Sequence, residues 1–252
     1  MLQVEDVRVI LRSREILKDI SFELRRGDLI ALLGHNGSGK STILKTLFGL
    51  LRPVGGVVYL DGKAVHSMHI RDVAKILGYL PQEGSEANLR VIDVVLLGRT
   101  PYIGMTPSNE DLSIAQEALE LVGLKGFENR YFSELSGGEK QKVMFARIFC
   151  QQTDFLLLDE PTSHLDIRSQ VEVMSIVKQI VEEGKAAIVA MHDINLASHF
   201  CNRILMIKNG RIAYAGESSE VLTPETIRDV FEVEVDVVRY NGRVLIVPKD
   251  VM

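Results

Sequence analysis

Three features of the sequence predict an α/β fold with a parallel core sheet, an antiparallel β subdomain beside it and an inserted helical subdomain. A buried strand, Leu29 to Leu33, runs straight into the glycine-rich stretch Gly34-His35-Asn36-Gly37-Ser38-Gly39-Lys40-Ser41-Thr42 and a helix from about Lys40. Two later apolar runs, Phe155 to Leu158 and Ala187 to Ala190, lack polar alternation, as strands covered on both faces do. Between these parts, from about Gly84 to Gln152, strand signals are sparse, and Leu112, Ala115, Leu119 and Val122 repeat at helical spacing.

In chain order, Val7 to Ile10 and Ile20 to Leu24 read as strands ahead of the glycine-rich loop. Asp61-Gly62 after Val57 to Leu60, and Asn209-Gly210 between Ile204 to Ile207 and Ile212 to Tyr214, are two-residue hairpin signals that place an antiparallel sheet beside the core. The two late buried strands are separated by a helix with Ile167, Val171, Met174, Val177 and Val181 on one face, closed by Gly184 as a left-handed cap. A last hairpin spans Val235 to Val247, turning at Asn241-Gly242. With no internal repeat and no low-complexity linker, residues 1–252 form one domain. Its core and β subdomain lie in about 1–83 and 153–252, and its helical subdomain in about 84–152.

Composition narrows the function. At 252 residues and 46% hydrophobic, the chain can build a substantial core. A net charge of −5 argues against a nucleic-acid surface, which needs clustered Lys and Arg. The start, Met1 to Asp6, has no basic region followed by an apolar run, so no signal peptide is expected. The longest apolar runs fall far short of the roughly 20 residues of a membrane span, so any membrane role must come through a partner. Cys150 and Cys201 are isolated and read as buried thiols. His66 and His69 read as a solvated surface pair rather than a metal site.

The chemistry begins with the loop. Glycines let backbone N–H groups curl around phosphate oxygens, Lys40 neutralises the outer phosphates, Ser41 ligates magnesium and Thr42 reaches an inner phosphate. Hydrolysis also needs an aligned water and a metal-stabilised charge. Asp159, at the carboxyl end of its strand, can hold magnesium through water, and Glu160 can accept the proton of the attacking water. His192 follows the next strand, Ala187 to Met191, and can donate to the terminal phosphate, while the Gln82 amide can serve magnesium or water. A second phosphate grip is Leu135-Ser136-Gly137-Gly138-Glu139, where a helix start presents unpaired N–H groups to an anion.

In this order the motifs resemble those of the ATP-binding subunit of ABC transporters, over about residues 2 to 250. Gly34 to Thr42 is similar to the Walker A motif, Gln82 to the Q-loop, Leu135 to Gln141 to the signature, and Phe155 to Glu160 to Walker B. Ser163-His164-Leu165-Asp166 is similar to the D-loop, and His192 to the switch histidine. The resemblance implies a P-loop NTPase (RecA-like) core using ATP and Mg2+, and a head-to-tail homodimer. In that dimer Ser136, Gly137, Gly138 and Glu139 of one chain close on nucleotide held by the other. Leu11 stands where the family usually has an aromatic residue that stacks on adenine. A planar Arg12 or Arg14 guanidinium is then the substitute, and ATP is expected to be only weakly preferred over GTP. His35 stands where proline is common, at a position that contributes mostly backbone.

Two further stretches, Val95 to Gly104 and Pro161 to Ile167, are similar to ATPases of importers for iron-siderophore, haem, cobalamin and related metal chelates. This implies integral-membrane permease subunits docked near the Q-loop and helical subdomain, an external substrate-binding protein as an indirect partner, and a peripheral place on the cytoplasmic face of the membrane. The competing expectation is a soluble cassette ATPase of an assembly or repair complex, such as iron–sulfur cluster loading. A small GTPase or nucleotide kinase needs no Ser-Gly-Gly-Glu helix start, and exporters commonly fuse this domain to membrane spans.

Overall fold

A computed structural model describes residues 1–82, 88–163, 165–240 and 243–249. In chain order the first elements are β1 (Leu2–Leu11), β2 (Arg14–Leu24), β3 (Leu29–Leu33), α1 (Lys40–Leu47), β4 (Gly55–Leu60), β5 (Lys63–Ala64), α2 (Ile70–Val73) and β6 (Leu77–Leu80). Helices α3 (Val91–Leu96), α4 (Asn109–Leu121) and α5 (Gly137–Cys150) follow, then β7 (Phe155–Asp159), α6 (Ile167–Glu182), β8 (Ala186–Ala190) and α7 (Ile194–Phe200). The chain ends with β9 (Arg203–Lys208), β10 (Arg211–Glu217), α8 (Ser218–Val221), α9 (Pro224–Phe231), β11 (Val235–Tyr240) and β12 (Arg243–Pro248).

A six-stranded sheet ordered β10-β9-β3-β8-β7-β6 forms the core, with β9, β3, β8, β7 and β6 parallel and β10 antiparallel at one edge. Its central strands are apolar throughout because both faces are covered. Leu29, Ala31 and Leu33 of β3 face one hydrophobic cluster, with Val143, Phe145 and Met174, whereas Ile30 and Leu32 face another, with Leu2, Val4 and Leu44. The second cluster is roofed by an antiparallel sheet, β2-β1-β4-β5.

Several expectations need correction. The Asn209-Gly210 turn, with φ of 50° and 78°, does make a hairpin, but β9 and β10 extend the core sheet and do not join the sheet beside it. Of the two hairpins expected there, Asp61-Gly62 alone belongs to the second sheet. Strands β1 and β2 are also much longer than expected and meet at the two-residue turn Arg12-Ser13, whose φ values of 48° and 65° no local glycine announces. On α6, Met174, Val177 and Val181 are buried as expected, but Ile167 is 80% and Val171 43% exposed, and Val173 and Ile180 complete the packed face. On α4, likewise, Ala115 and Leu119 are buried while Leu112 stays partly outside.

The turn of the final hairpin, at 241–242, lies outside the described residues, but its strands pair in register from Val235↔Pro248 to Tyr240↔Arg243. Gly184, at φ 98°, follows α6 as the left-handed cap. Cys150 and Cys201 are buried, and burial pushes both thiols up to about 12. The histidine pair is only half solvated. His69 caps α2 through the Arg71 amide, whereas His66 is half-buried, and burial and Arg52 push its pKa down.

The segment after α3 is held by Arg99, which is buried. It donates to Asp111 on α4 at 2.9 Å, to the Cys150 carbonyl at 3.1 Å and to Gln152 at 3.0 Å, and lies over the Tyr102 ring. The Ser108 amide, Arg99 and the Ser108 hydroxyl together hold Asp111 down at about 2. Gly98 allows this approach, since a Cβ there would collide with the Arg147 carbonyl of α5. Gly98→Ala is therefore expected to cost about 1–3 kcal/mol through overpacking against backbone, read as a lower urea midpoint at unchanged m value. A midpoint equal to that of the parent protein would disprove the close packing.

Candidate active site

The carboxyl ends of β3, β7 and β8 converge because the three strands are parallel neighbours, and chemistry-bearing residues follow each. After β3 the loop Gly34–Gly39 turns into α1. Gly39 takes φ 112°, and a Cβ on it would stand 2.7 Å from Leu17. No side chain caps α1, so its first amides and its positive dipole end remain free for an anion.

Lys40 is buried, and its ammonium donates to the carbonyls of Gly34 at 2.7 Å and His35 at 3.2 Å. Burial pushes its pKa down, against the pull of Glu160 and Asp159. A desolvated cation facing two carboxylates across a phosphate-sized loop is arranged to receive polyanionic charge. The Ser41 hydroxyl donates to Asp159 Oδ1 at 3.0 Å. Burial, the main cause, raises the Asp159 pKa, and neighbouring Glu160 adds to it while the Ser41 hydrogen bond opposes it.

Glu160 has φ 50°, a left-handed conformation that turns its carboxylate away from the strand line. One carboxylate oxygen lies 2.6 Å from His192 Nε2, and the other accepts from Gln82 Nε2 at 2.8 Å. The structure thus brings Lys40, Ser41, Asp159, Glu160, Gln82 and His192 into one constellation. A cleft of about 710 Å³ runs along it, lined by Asn36, Gly37 and Gly39 to Thr42, by Gln82, Glu160, Ser163 and His192, and by Leu11, Arg14 and Ile16 of the β1–β2 hairpin.

Ser136, Gly137, Gly138 and Glu139 are not in this cleft. They start α5, where the Ser136 hydroxyl accepts from the Glu139 amide at 3.3 Å and the Glu139 carboxylate accepts from the Ser136 amide at 2.8 Å. This reciprocal cap lowers the Glu139 pKa. Asp166 caps α6 by accepting from the Ser169 amide at 2.7 Å, while His164 lies outside the described residues.

Sequence reasoning gave no individual role to four neighbours, although Ser163 and Gln141 stand in the D-loop and signature stretches. Tyr79 on β6 approaches Asp159 at 3.5 Å, Ser163 and Ile16 line the cleft, and Gln141 of α5 donates to the Pro161 carbonyl at 2.8 Å. Alternation along β6 could have flagged Tyr79, two residues before Pro81, but nothing local marks the contact of Gln141 with Pro161. The His35 side chain, expected to matter little, packs on Phe231 of α9 with ring centres 5.4 Å apart.

Known proteins fit this geometry. Residues 17–163 match the ABC transporter family model. The chain is 40% identical to a hemin import ATP-binding protein of Rhizobium johnstonii, covering 92% of this chain and 90% of that one. It is 36% identical to the iron(3+)-hydroxamate import ATP-binding protein of Bacillus subtilis, covering 94% and 90%. Among solved structures, a transporter described as of the metal-chelate ABC type, in an inward-facing conformation, is 28% identical with TM-score 0.85 over 99% of this chain and 97% of that one. A dimeric ATP-binding cassette in a post-hydrolysis state, bound to ADP and Pi, is 28% identical with TM-score 0.77 over 86% and 99%. ATP hydrolysis is general in this family. The family model over residues 17–163, together with relatives 36% and 40% identical over more than nine-tenths of its length, places the chain in the ABC transporter family as an ATP-binding cassette.

Proposed function

We propose that this chain is the ATP-hydrolysing subunit of an importer for an iron-siderophore, haem, cobalamin or related metal chelate. The observation that carries the reading is the single cleft joining the phosphate loop to Glu160, Gln82 and His192. The import names of the relatives support the direction and the substrate class. They give no support to the assembly or repair reading.

ATP lies with its phosphates in the loop, Lys40 against the outer phosphates and the α1 amides below them. The donor set of Ser41 hydroxyl, Asp159 carboxylate and Gln82 amide, all hard oxygens with two of them 3.0 Å apart, fits Mg2+. When bound, that ion supplies charge neutralisation at the phosphates. Glu160 accepts the proton as a water oxygen attacks the terminal phosphorus and the bond to the bridging oxygen breaks, leaving ADP and phosphate. His192 and Gln82 hold the Glu160 carboxylate from either side.

A homodimer places Ser136 to Glu139 of one chain on the other chain's nucleotide, and the dimeric cassette among the similar structures supports that arrangement. Closing and opening then form a two-state switch biased by the terminal phosphate. Permease subunits dock near Gln82 and the helical subdomain, and selectivity for the chelate lies in them and in an external binding protein. No described helix is long and apolar enough to cross a membrane. The import names of the relatives support a peripheral place for this chain on the cytoplasmic face.

The test is a pull-down of tagged Glu160→Gln protein from detergent-solubilised source cells, with and without ATP. A multi-span membrane protein is the expected companion. Recovery of soluble assembly proteins alone would overturn the import reading.

A further inference from the structure

His192 is held to the site at one ring nitrogen only. Its Nε2 lies 2.6 Å from Glu160, and among the described residues its Nδ1 meets no hydrogen-bond partner. A histidine's orientation and tautomer are commonly set by a hydrogen bond at the other ring nitrogen. Without one, the place of this ring depends on the backbone to either side. Before it, Met191 is buried and its amide donates to the Leu32 carbonyl of β3 at 3.2 Å, which pins the end of β8. After it comes the first turn of α7, capped by Asp193, which accepts from the Leu196 amide at 2.8 Å.

That first turn is the less firmly packed part of α7. The buried apolar residues, Ala197 and Phe200, lie from the middle of the helix onward, whereas Ile194 and Leu196 are only partly buried. What fixes the first turn is Asn195, three residues after His192. Its side-chain nitrogen donates to the Ile246 carbonyl at 3.1 Å, and its side-chain oxygen accepts from the Ile246 amide at 2.7 Å. One side chain thus pairs with β12 as a neighbouring strand would, exchanging two hydrogen bonds that fix distance and direction together. Farther along the helix, the Ser198 hydroxyl donates to the Val244 carbonyl of the same strand at 2.6 Å. Strand β12 is itself anchored, because Val244 and Ile246 are buried in the main core and Val237, opposite Ile246, packs against it.

We propose that the final hairpin, β11–β12, helps to place the hydrolytic site: through Asn195 it sets the start of α7, and so holds His192 against Glu160. Asn195 is then a positioning residue for hydrolysis. This role rests on the hydrolysis reading above and deepens it.

A hydrogen bond of this kind is lost beyond about 3.5 Å, so a shift of His192 by about 1 Å frees one side of the Glu160 carboxylate. Misplacement on that scale costs up to about 100-fold in rate. The groups that meet the phosphates, Lys40 and the free amides opening α1, make no hydrogen bond to α7 among the described residues, so nucleotide affinity is spared.

The experiment compares steady-state ATP hydrolysis and ATP affinity in full-chain Asn195→Ala, His192→Ala and the double variant. Asn195→Ala should lower kcat about tenfold while KM and the dissociation constant for ATP stay within about threefold. His192→Ala should lower kcat at least as far. Adding Asn195→Ala to it should change kcat by less than about twofold, since a residue that acts through His192 has nothing left to position. A kcat within about twofold of the parent value in Asn195→Ala would overturn the inference. So would a further fall of about tenfold in the double variant, or a loss of ATP affinity matching the loss in kcat, which would mark a general loosening of the fold. Asn195→Asp keeps the side-chain volume and the bond from the Ile246 amide but loses the donor to its carbonyl. It carries the same comparison, with the same pattern expected, should Asn195→Ala fail to fold. A parental kcat in His192→Ala would instead remove His192 from the site reading, and this inference with it.

Discussion

Glu160→Gln protein is expected to bind ATP within about threefold of the parent affinity and to hydrolyse it about 10²–10⁴ times more slowly, the usual contribution of a positioned general base. The substitution changes one atom of the head group and leaves its shape. An amide at this position can still accept from either Gln82 or His192, now 2.8 and 2.6 Å from the carboxylate, so the local fold is kept. It cannot take a proton from water. Binding survives because the groups that meet the phosphates, Lys40 and the amides opening α1, are untouched. Single-turnover kinetics with parallel nucleotide titration separates the two effects. A parental hydrolysis rate would remove Glu160 from its role and leave Asp159 or His192 to be tested next.

How much of this site could be read from the sequence depended on what each residue packs against. The strands β3, β7 and β8 were legible because a parallel strand covered on both faces is an unbroken apolar run, and each run stops within two residues of a glycine-rich loop or a polar residue. That fixed the loop, Asp159, Glu160 and His192 at one sheet edge. The β1–β2 hairpin was not legible in full, because its turn uses Arg12 and Ser13 in left-handed conformations held by the strands on either side. Hence the choice between Arg12 and Arg14 stayed open until the structure placed Arg14 at the cleft.

The β9–β10 hairpin was recognised, but which sheet it joins depends on the long-range pairing of β9 with β3, and no local pattern encodes that. The start of α6 misled for another reason. Helical periodicity marks Ile167 and Val171 as one apolar stripe with Met174, yet it cannot say whether that stripe meets the chain's own core or another molecule. Following the cap Asp166, those exposed side chains are apolar surface of the kind a partner copy covers.

Gly137→Asp tests that partner copy, and its expected effect is as large as that of Glu160→Gln. Gly137 opens α5, is exposed, and a Cβ there meets nothing within 4 Å, so the substitution does not strain the fold. An acidic residue in a first turn even favours the helix, by about 0.3–1 kcal/mol. The variant should thus melt no earlier than the parent and bind ATP in its own loop as before. Hydrolysis should fall about 100-fold or more, because the new carboxylate sets a like charge against the partner's triphosphate beside the amides that would receive it.

The decisive arm mixes this variant with Lys40→Ala protein, which should bind nucleotide poorly. In a head-to-tail dimer each site takes its loop from one chain and its Ser-Gly-Gly start from the other. A mixed dimer of the two variants then holds one site with both faults and one with neither. Statistical mixing restores roughly a quarter of the sites, under conditions in which the chains dimerise. Activity rising well above either variant alone would assign Ser136 to Glu139 to the opposite chain's nucleotide. A mixture as inactive as its components would show that α5 does not act across the dimer. In that case the reciprocal cap of Ser136 and Glu139 would be its whole role.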